Sequence, residues 1–103
     1  MVKVSVLYPN DEGKKFDMNY YLETHIPLVR KLLGAACTNA SVDHGLAGGT
    51  PGSKAPYLVI GHLYFNAIED FMSSFGPNAD AIVSDIPNYT DITPVVQINE
   101  IKM

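Results

Sequence analysis

Apolar positions along the chain switch between two periods, and the switches mark its elements. Val2, Val4, Val6 and Tyr8 alternate with Lys3, Ser5 and Leu7, the two-residue period of a strand. Pro9-Asn10-Asp11-Glu12-Gly13 then reads as a polar turn. From Asp17 to Leu33 the period becomes helical, with Met18, Tyr21, Leu22, Val29 and Leu32 on one stripe at 100° per residue. Asp17 is placed to cap this helix and Gly34 to end it. Thr38 to Ala47 predicts a weaker strand, polar enough for a sheet edge, and Tyr57 to Phe65 predicts the strongest one. Between them runs the glycine- and proline-rich loop from Gly48 to Pro56. A second helix is expected from about Ala67, with Ile68, Phe71, Met72 and Phe75 at helical spacing. Gly76-Pro77 must break or bend it before Ala79, Ile82 and Val83, and Pro94 to Ile101 predicts the last strand.

The order β-α-β-β-α-β predicts an α+β, ferredoxin-like fold, a four-stranded antiparallel sheet with two helices on one face. Strand three changes the picture of the other face. It is apolar on both sides, Tyr57, Val59, Leu63 and Phe65 against Leu58, Ile60 and Tyr64, where a solvated sheet would alternate. Both helices are already assigned to one face, so a second copy of the chain is expected to cover the other, giving a homodimer through the sheet faces.

The 103 residues form a single domain, 1–103, and 47% apolar against 17% charged residues favours a packed core over disorder. Net charge is −4 and the seven basic residues are scattered, so nucleic acid is excluded as a partner. No apolar run reaches membrane-spanning length, and the N-terminus lacks the apolar region of a secretory signal. With Cys37 alone and no disulfide possible within the chain, a cytoplasmic location is expected.

His25 carries the most chemistry, because it stands at the centre of a stripe that should be hydrocarbon. Pro27, two residues on, removes an N–H and pushes on the carbonyl of Glu23, which predicts a kinked backbone beside the imidazole. Two readings follow: a core histidine held neutral by a freed carbonyl, or a partly desolvated imidazole serving as general base or as donor to an oxyanion, with Tyr21 one turn earlier to orient it. His62 shares a strand face with Ile60 and Tyr64; it either converges with His25 on one ligand or lies in the dimer layer. His44, beside Gly45 on an edge strand, reads as a surface or rim residue, and Cys37 as inert. Tyr8, Tyr21, Tyr57, Tyr64, Phe65, Phe71 and Phe75 suffice to line an apolar pocket as well as a core; Tyr8, Tyr21, Tyr64, Phe65 and Phe71 are the candidates for substrate contact. Asp85 and Asp91 bracket Pro87-Asn88-Tyr89-Thr90 in turn and cap positions, and a carboxylate supporting a catalytic histidine is a second role open to them.

No C-x-x-C, H-x-H or H-E-x-x-H spacing occurs, so no metal site is expected. Gly52-Ser53-Lys54 is not a phosphate loop, since Pro56 and a strand follow instead of a helix; the segment reads as a lid or pocket rim.

Tyr20-Tyr21-Leu22-Glu23-Thr24-His25-Ile26-Pro27-Leu28 resembles the first-helix signature of the EthD family, named for ethyl tert-butyl ether degradation, within the dimeric α+β barrel superfamily. His44-Gly45-Leu46-Ala47-Gly48-Gly49, Gly61-His62-Leu63 and Asp85-Ile86-Pro87-Asn88-Tyr89-Thr90-Asp91-Ile92 are similar to that family too. The resemblance implies a dimer whose sheets form a barrel, with a pocket between sheet and helices in each subunit. Its branches include cofactor-free monooxygenases of aromatic polyketides, lactone isomerases, haem-dependent enzymes and proteins without established chemistry. The resulting expectation is a protein with no cofactor that takes a small apolar or aromatic molecule and uses His25, with His62, as catalytic residues. A base there would abstract a proton next to a carbonyl, tyrosine hydroxyls would hold the enolate, and an electron-rich carbanion would react directly with O₂. The alternative is a non-catalytic binder or an auxiliary protein of a degradation pathway. A single axial histidine would suffice for haem, which superfamily relatives use.

Overall fold

The computed structural model describes all residues 1–103. Strands β1 (Val2–Pro9), β2 (Asn39–His44), β3 (Tyr57–Phe65) and β4 (Val95–Glu100) form one sheet in the order β2-β3-β1-β4, every neighbouring pair antiparallel. This is the expected four-stranded sheet with the expected element order.

The first helix is composite. α1 (Met18–Tyr20) starts at Asp17, whose carboxylate accepts the Tyr20 N–H at 3.1 Å. A π-helical turn, Tyr21–His25, follows, and α2 (Ile26–Leu33) completes it before Gly34 turns the chain with φ 64°. The Ile26 N–H reaches back five residues to the Tyr21 carbonyl, so the distortion expected at Pro27 takes the form of a wide turn just upstream of it. That turn changes which residues are buried. Tyr21, His25, Val29 and Leu33 point inward at four-residue intervals, while Leu22, expected on the buried stripe, is 47% exposed. A π turn advances less than 100° per residue, so the 3.6-residue wheel overshoots at this point.

The second helix is α3 (Ile68–Phe75), a 3₁₀ turn at Gly76–Asn78 that absorbs Pro77, and α4 (Ala79–Asp85). Inward-facing Val4 of β1 and Leu63 and Phe65 of β3 meet Val29, Leu33, Phe71 and Ile82 from the helices. Burying each large apolar side chain here is worth about 1.5–3 kcal/mol. A second cluster, Tyr8, Tyr21, Val59, Tyr89 and Ile92, packs at the end of the sheet below the π turn.

On the opposite face, Leu58, Ile60, His62 and Tyr64 stay half-buried, as do Lys3 and Leu7 of β1. No helix of the chain is long and apolar enough to cross a membrane.

Candidate functional site

Sheet and helices do not close on each other completely. A cavity of about 300 Å³ opens between them, floored by Val4, Val6, Gly61 and Leu63 and walled by Tyr21, His25 and Val29 from the first helix and by Phe71, Phe75 and Ile82 from the second. Val83 and Val96, 54% and 56% exposed, stand with Ile86 and Pro94 around its mouth.

His25 is the cavity's one imidazole, and its side chain is only 6% exposed. The π turn brings its Nδ1 to 2.8 Å from Oδ2 of Asp85 at the end of α4. The other carboxylate oxygen, Oδ1, accepts the Tyr20 hydroxyl at 2.7 Å and the Asn88 amide at 2.9 Å. Tyr21 stacks on the imidazole with ring centroids 5.7 Å apart, and Tyr89 leans on it at 4.6 Å. Burial lowers the His25 pKa, against the opposing pull of Asp85, so the ring is neutral at pH 7. Burial pushes the Asp85 carboxyl up, but hydrogen bonds from Tyr20, Asn88 and His25 outweigh that and hold it below its ordinary value. A carboxylate has no proton to give, so Nδ1 carries the N–H and Nε2 is left with a bare lone pair. Nε2 has no protein partner, and no fully buried side-chain polar atom lacks one, so this nitrogen touches the open space of the cavity.

Beside the imidazole lie three phenols. The Tyr8 and Tyr89 hydroxyls bond each other at 2.7 Å, and the Tyr21 hydroxyl sits over Gly61, in space that a Cβ there would occupy. Burial, reinforced for Tyr8 by Tyr89 and for Tyr21 by Tyr8, raises the pKa of these two phenols far above the ordinary range, and burial raises that of Tyr89 as well. All three are therefore neutral hydroxyls.

Of the residues expected at the site, His25, Tyr8, Tyr21 and Phe71 line the cavity. Phe65 does not: it is fully buried beneath Phe71, centroids 5.3 Å apart, in the core next door. Tyr64 and His62 lie on the far face of the sheet, because strand alternation gives the helix side to Gly61, Leu63 and Phe65. His62 therefore does not converge with His25. Its Nε2 lies 3.0 Å from Asp43 Oδ2 and its Nδ1 2.9 Å from Ser5 Oγ, and Tyr64 pairs with Ser41 at 3.3 Å. His44 is exposed at the end of β2, and buried Cys37 points its thiol at the Asn39 carbonyl. The Gly48–Lys54 loop contributes nothing to the cavity wall; it folds on itself through Gly48 N–H to Ser53 O, and Lys54 Nζ ties it to the Asn10 carbonyl.

Asp85 takes the supporting position left open for it by the sequence, whereas Tyr20 and Tyr89 were not singled out. The signals for both were present. Tyr89 is an aromatic inside an otherwise polar turn, and Tyr20 precedes an inward-facing Tyr21 at a helix start, where its ring reaches the α4 end.

A four-stranded sheet carrying both helices on one face, with an apolar chamber in the seam and a carboxylate-oriented imidazole in its wall, is a domain of the dimeric α+β barrel type. The chain belongs to the EthD family: the EthD domain matches residues 11–93. An EthD-like protein from Ralstonia eutropha JMP134 is 38% identical over 99% of this chain and 92% of that one, with a TM-score of 0.94. An ethyl tert-butyl ether degradation (EthD) family protein from Bacillus halodurans C-125 shares the fold at 22% identity, covering 98% of each chain with a TM-score of 0.74. A protein from Arabidopsis thaliana shares it at 13% identity, covering 100% of this chain and 97% of that one with a TM-score of 0.71. No curated protein matches the chain.

Proposed function

We propose that the chain binds a small apolar or aromatic metabolite in the seam cavity and that His25 serves there as general base, in an enzyme of isomerase or cofactor-free monooxygenase type. One observation carries this: Asp85 occupies Nδ1, so the bare Nε2 of a neutral imidazole is directed at an apolar space of about 300 Å³. A base in such a space meets substrate without competing water, and a positioned imidazole contributes about 10²–10⁴-fold to proton transfer. As Nε2 takes a proton, the imidazolium that forms is held by the Asp85 carboxylate behind it. The Tyr21 hydroxyl, neutral and beside the ring, would turn from its partner Tyr8 to the enolate oxygen.

Two copies are proposed to join through the far sheet face, where half-buried Leu7, Leu58, Ile60 and Tyr64 surround the Asp43–His62–Ser5 chain. His62 then belongs to the dimer layer. Sedimentation should give twice the chain mass, and a monomer at micromolar concentration would remove this part of the proposal. The buried single thiol of Cys37 suits a reducing cytoplasm.

The catalytic reading is tested with two probes. Wild-type protein should enhance the fluorescence of N-phenyl-1-naphthylamine saturably, one per chain, and Val29→Trp, which fills the cavity, should abolish that signal. The α-protons of 2-tetralone should exchange with D₂O at least a hundredfold faster with wild type than with His25→Asn. Equal exchange rates would end the role of His25 as base, and saturable probe binding without any exchange would leave the protein a binder.

A further inference from the structure

The apolar cavity contains no lysine, arginine, aspartate or glutamate, and its polar inventory is short. Tyr8 spends its hydroxyl on Tyr89. The Tyr21 hydroxyl is turned to that of Tyr8, which leaves the imidazole, and the state of the imidazole is decided outside the cavity. Asp85 Oδ1 receives two donors, the Tyr20 hydroxyl and the Asn88 amide, so Oδ2 alone faces His25 and must accept from Nδ1. The dyad thereby turns Nε2 into an acceptor and sets a full negative charge on the far side of the same ring.

From this we infer that Asp85 is a specificity-determining, positioning residue: it fixes the polarity of the cavity so that the ligand is a neutral molecule presenting a proton to Nε2, an O–H, an N–H or the acidic C–H next to a carbonyl, and carboxylates and sulfonates are refused. The inference rests on the cavity being the ligand site. A ligand anion entering it would lose its water, find no cation to replace that water, and face both a lone pair and the Asp85 carboxylate. A neutral donor gives Nε2 the partner it lacks, and the rest of the molecule takes the hydrocarbon walls.

The same geometry says what Asp85→Asn does. Both donors onto Oδ1 remain, so they select the orientation of the new amide in which its oxygen stays with Tyr20 and Asn88. Its NH₂ then takes the place of Oδ2 and donates to Nδ1, which forces the proton onto Nε2. The acceptor in the cavity wall becomes a donor, and the charge behind it is gone.

The experiment uses a matched pair of fluorescent probes, N-phenyl-1-naphthylamine and 8-anilino-1-naphthalenesulfonate, which differ by a sulfonate placed next to the same N–H. Wild type should bind the neutral probe at least tenfold more tightly, and in D85N that ratio should fall at least tenfold, through weaker binding of the amine and tighter binding of the sulfonate. Nitrogen-15 NMR of the His25 ring should report Nδ1–H in wild type and Nε2–H in D85N. A ratio unchanged within twofold in folded D85N, or an Nε2–H ring in wild type, overturns the inference. Should D85N not fold, wild type decides alone: Nδ1–H with a bare Nε2 whose resonance moves on adding the neutral probe upholds it, and any other result overturns it. If neither probe binds and Val29→Trp changes nothing, the cavity is not the ligand site, an outcome separate from a tautomer that reads correctly while both probes bind alike.

Discussion

Replacing Gly61 by alanine should destabilise the protein through a single atom. Gly61 lies in the middle of β3, paired with Val6 on one side and Val42 on the other, so the strand has no room to shift. A Cβ at this position would run into the Tyr21 hydroxyl. Tyrosine tips often swing aside at little cost, but this ring is only 2% exposed and is wedged edge-on against Tyr8 and Phe16, centroids at 5.7 and 5.0 Å, with His25 stacked behind it. Overpacking of this kind costs about 1–3 kcal/mol. Alanine also lowers the entropy of the unfolded chain, which offsets about 0.4–1 kcal/mol. A net loss of about 1–2 kcal/mol is expected, which lowers Tm by roughly 4–15 °C in a domain of this size. Urea denaturation of wild type, Gly61→Ala, Tyr21→Phe and the double variant isolates the cause. Removing the hydroxyl vacates the space that the new methyl needs, so the two substitutions should be non-additive by about 1 kcal/mol, the double variant losing less than the sum. A Gly61→Ala protein as stable as wild type, or strict additivity, would refute the packing argument.

Three further outcomes are expected. Acidification should destabilise the fold in two steps: His25 binds its proton less readily folded than unfolded, so stability begins to fall below pH 6.5, and the depressed Asp85 pKa removes more below pH 3.8. Thermal melts of His25→Asn across pH 4–7 should lack the first step, and a wild-type Tm that rises on acidification would contradict both signs. His62→Ala should cost about 0.5–1.5 kcal/mol by cutting the chain from Asp43 to Ser5 and leave naphthylamine binding untouched, since the ring is on the other side of the sheet; a weakened probe affinity would put the site elsewhere. Asp17→Ala should lose about 1 kcal/mol by uncapping the first helix, read from the same urea curves.

The architecture was legible because it depends on alternation and on punctuation by Gly34 and Gly76-Pro77, and these survive in the structure with element ends moved by a residue or a few. The inward aim of His25 was legible for the same reason. Which strand face meets the helices was not, because β3 is apolar on both sides and a single strand carries no information about its neighbours. His62 and Tyr64 consequently fell on the side away from the cavity. Leu22 was misplaced by the π turn, whose smaller rotation per residue no regular wheel contains. The pairing of His25 with Asp85 spans 60 positions of chain and depends on where α4 ends, so the carboxylate was recognisable as a supporter only by its type and surroundings.

The wide turn between Tyr21 and His25 accommodates one residue more than a regular helix would at that place. Loss of one codon there, at solvent-facing Glu23 for instance, would let the backbone relax into ordinary α-helix while the sheet and the remaining helices kept their seats. Tyr21 and His25 would then be three residues apart, still neighbours on one helix face but rotated differently with respect to each other. The domain would survive that edit while the angle between phenol and imidazole changed, so in this scaffold the wall of the chamber can be re-aimed by a length change too small to disturb folding.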